Sequence, residues 1–249
     1  MGGVLAVIPA RYASTRLPGK PLALMNGKPM IAHVYAGVKR AKRATEVVVA
    51  TDDQRIVDAV EAAGGQAMLT DPAARSGTDR VAEVAYKNAE TVVINIQGDE
   101  PLVHPEMVDQ LAEYLEAHPD VPMASLMTRL RRAEDLNNPN VVKVVVDQEG
   151  FALYFSRAPI PWQRANPPER SPTEYVFKHL GIYGYQRDFV LRFPKLPPTP
   201  LEQLEQLEQL RALEHGHRIK MMETPHETFG VDTPEDLKNV NALMTGRSR

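Results

Sequence analysis

The sequence predicts an α/β protein, an open sheet of parallel strands with helices on both faces. Two observations carry this. Short, solidly apolar runs rich in β-branched residues recur through the first half of the chain, as strands buried on both faces require. Between them lie segments whose apolar residues repeat at helical spacing. The order strand, helix, strand, helix implies parallel strands joined by right-handed crossovers.

Taken in order, Val4 to Pro9 (VLAVIP) is the first strand. Met30, Ile31, Val34, Tyr35 and Val38 then recur at helical spacing after Pro29, a residue suited to a first turn. Glu46 to Thr51 (EVVVAT) is a second strand. Ile56, Val57 and Val60 follow Asp52-Asp53, an acidic start that suits a helix N-terminus. Val81, Val84 and Ala85 form a helical face after Thr78-Asp79. Thr91 to Gln97 (TVVINIQ) is a third strand, and Met107, Val108, Leu111 and Leu115 follow Pro105 as a fourth helix.

The second half is less regular. Val141 to Val146 and Phe151 to Phe155 predict two strands around the turn 147–150, and Leu180 to Tyr185 predicts another. Trp162 to Thr173, rich in Pro, Arg and Asn, predicts a loop. Leu201, Leu204, Leu207, Leu210 and Leu213 recur every three residues. On one helix that stripe drifts around the 3.6-residue turn, so its two ends cannot face the same surface. Two readings follow: a solvated helix with a slanted stripe, or one end on the core and the other on a partner. A last helix follows Pro234, and Thr245 to Arg249 is expected to fray. No linker divides the chain, so a single domain is expected over 1–249.

Composition narrows the function. The 249 residues are 43% hydrophobic and 24% charged, as in ordinary globular proteins, and no run is apolar enough to span a membrane. The first apolar stretch has no basic residue before it and is followed by Arg11, so no signal peptide is expected. There is no cysteine, which excludes disulfides and thiolate catalysis. A net charge of −3 argues against a nucleic-acid partner, though a local basic pocket is compatible with it.

Such a pocket is legible after the first strand. Ala10 to Pro21 (ARYASTRLPGKP) sets Arg11, Arg16 and Lys20 among hydroxyls, Gly and Pro. Such a loop suits a nucleoside triphosphate, whose α-phosphorus is open to attack only when its negative charges are offset. Neither a P-loop nor a Rossmann glycine pattern is present. Asn95 to Pro101 (NIQGDEP) closes the third strand, with Gly98 open to close backbone approach. Asp99 there is suited to hold Mg²⁺ against phosphate oxygens. Glu100 is either a second ligand or a cap. Asp232, in GVDTPED, is either a helix N-cap or the second carboxylate of that site.

VIPARYASTRLPGKPL, VATDD, SGTDRVAEVA, INIQGDEPL, NPNVVKVV, LYFSRAPIPW, KHLGIYGY, LEQLR and GVDTPEDL together resemble the 3-deoxy-manno-octulosonate (Kdo) cytidylyltransferases of lipopolysaccharide precursor synthesis. The likeness spans nearly the whole chain, and LYFSRAPIPW and KHLGIYGY are its most specific motifs. It implies a three-layer α/β/α nucleotide-diphospho-sugar transferase-like fold with a mostly parallel, mixed central sheet. It also implies Mg²⁺ dependence, a homodimer and a cytoplasmic setting. The expected division is nucleotide binding over about 1–130, sugar-acid binding and dimerisation over about 131–225, and a metal motif with its helix over 226–249.

The resemblance implies CTP and a 2-keto-3-deoxy sugar acid as substrates. Ala10, Arg11 and Lys20 would lie on the nucleotide, with Arg11 and Lys20 on its phosphates. Thr51, Asp52, Ser76, Gly77, Thr78, Arg80 and Gln97 would complete that side. Asp99 and Asp232 would hold the metal and, with Arg11 and Lys20, form the catalytic set. Arg157, His179, Tyr183, Glu208 and Gln209 would face the sugar acid, an arginine fork suiting its carboxylate. Taken alone, His179 is more often a hydrogen-bonded structural histidine, Tyr183 fits a core strand position, and Arg157 suits pairing with a structural carboxylate. The alternatives are another 2-keto sugar acid, such as 8-amino Kdo or a sialic acid, or a non-catalytic sugar-nucleotide-binding protein.

Overall fold

The computed structural model describes residues 2–14, 16–162, 164 and 176–244. The loop expected over Trp162 to Thr173 falls mainly outside these, as does the tail from Thr245. The first strand, β1 (Val4–Ala10), sits at the middle of the sheet and is buried throughout. Two short strands, β2 (Leu24–Met25) and β3 (Lys28–Pro29), form a separate hairpin before α1 (Met30–Val38). Then come β4 (Glu46–Thr51), α2 (Gln54–Ala62), β5 (Ala67–Leu69), α3 (Gly77–Lys87), β6 (Val92–Asn95) and α4 (Pro105–Ala117). These are the elements expected, with β5 added.

Past α4 the chain runs β7 (Met123–Arg129), β8 (Lys143–Val146), β9 (Ala152–Ser156), β10 (Phe177–Gln186), α5 (Arg187–Arg192), α6 (Pro200–Glu205), α7 (Gln209–Glu214), β11 (Ile219–Glu223) and α8 (Pro234–Met244). The sheet order is β11-β7-β10-β6-β1-β4-β5. From β6 to β5 all pairs are parallel, whereas β10 is antiparallel to both β6 and β7. The sheet is therefore mixed. The strands β7 and β11 were not legible, because MASLMTR and IKMME carry methionine and charge where β-branched residues would mark a strand.

Alternation along β1 builds the three layers. Val4, Ala6 and Ile8 point into one core with Ile31, Val34, Ile56, Val60, Met107 and Leu111, from α1, α2 and α4. Leu5 and Val7 point into the other, with Val81, Val84, Phe189 and Leu210 from α3, α5 and α7. The helices α2 and α3, which open towards the strand ends, carry a polar start. Asp53 accepts from Arg55 N–H, and Ser76 accepts from Asp79 N–H. At α8 the cap is Thr233, not Asp232. Asp236 accepts the Thr233 N–H at 2.9 Å while Thr233 Oγ1 accepts the Asp236 N–H at 3.1 Å. That reciprocal pair leaves the Asp232 carboxylate available for other partners.

The leucine tract is not one helix. Gln206, at φ 54°, takes the left-handed conformation and separates α6 from α7. The break resolves the drift of the three-residue period. Leu207 and Leu210 turn into the core, while Leu204 stays 80% exposed. A fully buried leucine truncated to alanine typically costs ~2–5 kcal/mol and an exposed one falls within about 0.5 kcal/mol. In the monomeric chain, Leu210→Ala should therefore lower denaturant stability by the larger amount and Leu204→Ala by the smaller. Equal losses in urea titrations would contradict this division.

Candidate active site

The parallel strands β1, β4 and β6 end together, and a cleft of about 810 Å³ opens beyond their carboxyl ends. The cleft is walled by the loop after β1, the N-terminus of α3, the turn after β6 and the residue before α8. Of the predicted residues, Ala10, Arg11, Lys20, Ser76, Gly77, Arg80, Gln97, Asp99 and Asp232 all line it. Gly98 makes the crossing of β6's turn over β1 feasible. A Cβ there would lie 2.7 Å from Pro9 O, closer than a side chain is tolerated.

Asp99 and Asp232 converge. Lys20 Nζ donates to Asp99 Oδ2 at 2.6 Å and to Asp232 Oδ1 at 3.0 Å, and Arg16 pairs with the other oxygen of Asp232 at 3.1 Å. Burial pulls the Lys20 pKa down, but the charge of Asp99 and hydrogen bonds to both carboxylates outweigh it. The net shift is upward, so this ammonium stays charged. The backbone closes the same contact, with Val231 N–H donating to Asp99 O at 2.9 Å.

Beneath the cleft lies a buried support. Arg80 donates to Asp52 Oδ2 at 2.6 Å, to Thr70 Oγ1 at 2.7 Å and to Asp71 O at 3.1 Å. Thr51 is fully buried and accepts the Asp53 N–H through Oγ1. Thr51 and Asp52 thus brace the floor and do not line the cleft. Thr78 likewise turns away from it and donates to Glu208 Oε2 at 2.7 Å.

Glu208 belongs to a second cleft of about 340 Å³, which shares Arg75, Ser76 and Gln206 with the first. Burial raises the Glu208 pKa, and hydrogen bonds from Thr78 and Ser76 oppose the rise. Nearby, Tyr183 OH donates to Gln209 Oε1 at 3.2 Å. Burial, then Glu208 and Glu100, push the phenol pKa of Tyr183 upward, so it remains a donor. Glu208 Oε1 and Gln209 Nε2 are buried and find no partner among the described residues. One is an acceptor and the other a donor, which is what a polyhydroxyl ligand satisfies.

Two expected sugar contacts are engaged elsewhere. The Arg157 guanidinium donates to Glu205 O at 2.7 Å, Pro139 O at 3.0 Å and Gln206 O at 3.3 Å. Here it clamps the segment that breaks α6 from α7. His179 sits in the core, with Nε2 3.0 Å from Ser125 Oγ and its ring edge-on to Phe155. Ser125 also lies 2.8 Å from Ile182 O. Having one proton to donate, Ser125 gives it to that carbonyl and receives the Nε2 proton of His179. The pair secures the register shift of β10 between Leu180 and Tyr183.

The sequence reading does not reach Arg75 and Gln206, and it leaves Glu100 as either a second ligand or a cap. The first two line both clefts, and only the left-handed break at Gln206 turns it there. Burial raises the Glu100 carboxyl to about 8, with the charge of Asp99 adding to the rise, and Thr228 and Lys178 oppose it. The position of Glu100 beside Asp99 in QGDEP was the available signal.

A family model described as Cytidylyltransferase matches residues 5–219. The chain is 50% identical to a 3-deoxy-manno-octulosonate cytidylyltransferase of Geobacter sulfurreducens, covering 95% of this chain and 97% of that one. Against the enzyme of the same description from Thermodesulfovibrio yellowstonii it is 48% identical, covering 94% and 95%. A solved CMP:2-keto-3-deoxy-manno-octonic acid synthetase in complex with CTP superposes with a TM-score of 0.92 at 44% identity, covering 99% of this chain and all of that one. A 4-diphosphocytidyl-2C-methyl-D-erythritol synthase from Anaerococcus prevotii shares the fold alone, at TM-score 0.63 and 13% identity.

Burial lowers His179 from the ordinary 6.5 to about 3. A depressed pKa in the fold means that this histidine contributes stability above pH 6.5, which is lost as pH falls towards 3. His179→Gln removes the titration. Its melting temperature should decline less steeply than that of the wild type between pH 6.5 and 4.5. Parallel pH profiles in differential scanning calorimetry would overturn the assignment of His179 as a neutral core residue.

Proposed function

The chain belongs to the cytidylyltransferase family, and on that premise we propose that it transfers CMP from CTP to the anomeric hydroxyl of Kdo, releasing pyrophosphate. The observation that carries this reading is the meeting of Lys20, Asp99 and Asp232 on the wall of a cation-rich cleft at the strand ends.

The triphosphate has the cations it needs in that cleft. Arg11, Arg16, Lys20 and Arg75 face it, and the N-terminus of α3 adds the partial positive charge of its free N–H groups at Ser76 and Gly77. In the transfer, the anomeric oxygen of the sugar acid forms a bond to the α-phosphorus and the bond to the bridging oxygen of pyrophosphate breaks. The hydroxyl proton leaves to solvent or a base. Charge grows on the α-phosphoryl oxygens and the leaving group, and Arg11 and Lys20 offset it. Holding both substrates in line supplies much of the remainder.

The two carboxylates fit Mg²⁺. They are hard oxygen donors from separate loops, and they already converge on one cationic atom, Lys20 Nζ. The ion would supply Lewis-acid neutralisation of phosphate charge when bound. In this reading Lys20 partners the carboxylates before substrate enters and the phosphates afterwards. Glu208, Gln209 and Tyr183 receive sugar hydroxyls, supported by the two partnerless buried atoms at Glu208 and Gln209.

A homodimer and a cytoplasmic setting complete the proposal. The exposed Leu204 beside Leu201 offers a twofold contact surface, and no described helix is long and apolar enough to cross a membrane.

Asp99→Asn and Asp232→Asn should each lower kcat by ~10²-fold or more with folding retained, an estimate from the worth of a charge-stabilising group. Pyrophosphate release from CTP, Mg²⁺ and a panel of 2-keto sugar acids is the measurement. Near-normal turnover in both variants would exclude the metal assignment, and no release with any acid from the wild type would exclude the transfer. For assembly, sedimentation at low micromolar concentration should give a dimer that Leu204→Glu shifts towards monomer. A wild-type monomer there would remove the dimer from the proposal.

A further inference from the structure

On the surface, the start of α4 meets the segment between β11 and α8. His104 caps α4, its Nδ1 accepting the Glu106 N–H at 3.4 Å, a long bond that an ion on that nitrogen would replace. Glu106 Oε2 lies 3.9 Å from His104 Nδ1 and 2.9 Å from His226 Nε2. The two imidazoles stack with centroids 3.8 Å apart. Each of the three residues offers one ligand atom, all within 4.8 Å of one another. The hydrogen bond from His226 holds the Glu106 carboxyl below its ordinary range, so it is an anion here.

We propose that His104, Glu106 and His226 form a binding site for a borderline divalent ion of the Zn²⁺ type. Two imidazoles and one carboxylate are the donors such an ion prefers, whereas Mg²⁺ demands oxygens. A tetrahedral ion with bonds of ~2.0–2.1 Å sets its ligands ~3.3 Å apart, a spacing bracketed by the two contacts of Glu106, and the two imidazoles turn out of their stack to hold it in their ring planes. Glu106 is 71% exposed, which leaves the fourth position open to water. The site is chemically distinct from the all-oxygen pair Asp99 and Asp232. It joins elements far apart in sequence. His226 precedes Thr228, whose side chain bonds Glu100, and the same segment runs on to Asp232. A bound ion therefore ties the entrance of α4 to the strand of chain that delivers Asp232. The inference does not depend on the transfer reaction.

The test is a Zn²⁺ titration of the full chain against a chromophoric chelator, with Mg²⁺ in excess to occupy oxygen sites. The wild type should take up one equivalent, and Zn²⁺ should raise its melting temperature. His104→Asn keeps a helix cap but removes the imidazole, and His226→Gln removes the other. Each should weaken Zn²⁺ binding at least tenfold and abolish the thermal shift, while circular dichroism reports an unchanged fold. Asp99→Asn should bind Zn²⁺ as the wild type does. Unchanged affinity in both histidine variants, no uptake by the wild type, or loss of binding in Asp99→Asn would each overturn the proposal.

Discussion

The ammonium of Lys20 between Asp99 and Asp232 is the interaction on which the active cleft depends. These three residues come from a loop after β1, a turn after β6 and the lead-in to α8. Two carboxylates brought this close repel unless a cation lies between them, and that repulsion strengthens as water is excluded. Lys20 is largely buried, so its charge is screened less than that of a surface lysine. Removing it would leave two like charges facing each other, whereas the same pair accepts any cation of suitable size. The arrangement that stabilises the free protein thus already gathers the side chains on which the proposed metal and triphosphate would sit.

Other contacts in the molecule keep that arrangement in place. The bare Cα of Gly98 lets β6's turn approach Pro9 O, and the Val231 N–H to Asp99 O bond joins the final segment to the same turn. Under the opposite wall, Arg80 ties Asp52 to the segment after β5. Buried polar groups of this kind are stabilising only when each donor and acceptor is matched. Arg80 is matched on three partners, and Lys143 sets its ammonium on three backbone carbonyls, those of Asn138, Val141 and Arg157. Among the described residues Glu90, Asn95 and Thr199 also carry a partnerless buried atom, and those of Glu208 and Gln209 are the ones that lie where a sugar acid is proposed.

Lys143, Arg157 and Glu205 form one chain of contacts from β8 to the α6–α7 break. Lys143 holds the carbonyl of Arg157, whose guanidinium holds the carbonyls of Glu205 and Gln206. Glu205 in return accepts from Ser156 Oγ and from the Arg157 N–H. Gln206 is thereby fixed in its left-handed conformation, where it faces both clefts, and Glu208 is carried to Thr78. Arg157, expected on the sugar acid, holds the segment that faces both clefts.

The sequence by itself determined the half of the fold built from strong local patterns. VLAVIP, EVVVAT and TVVINIQ are buried on both faces and have no polar face to blur them, and Pro29, Asp52-Asp53, Thr78-Asp79 and Pro105 mark helices among and after them. It also marked Lys20, Asp99 and Asp232, because cations and carboxylates beside glycine at strand ends are unusual. Only the tertiary structure decided the rest. The strands β7 and β11 owe their state to neighbours in the sheet, and β10 runs antiparallel to both β6 and β7. The leucine period was broken at Gln206 by contacts from Arg157 and Glu205, which lie in distant or adjacent segments that no local period encodes. His179 and Arg157 were assigned by side-chain type, but their roles were settled by which hydrogen-bond partners the packed chain placed beside them. Partner identity is a property of long-range packing, and a pattern read along the chain carries only residue type and spacing.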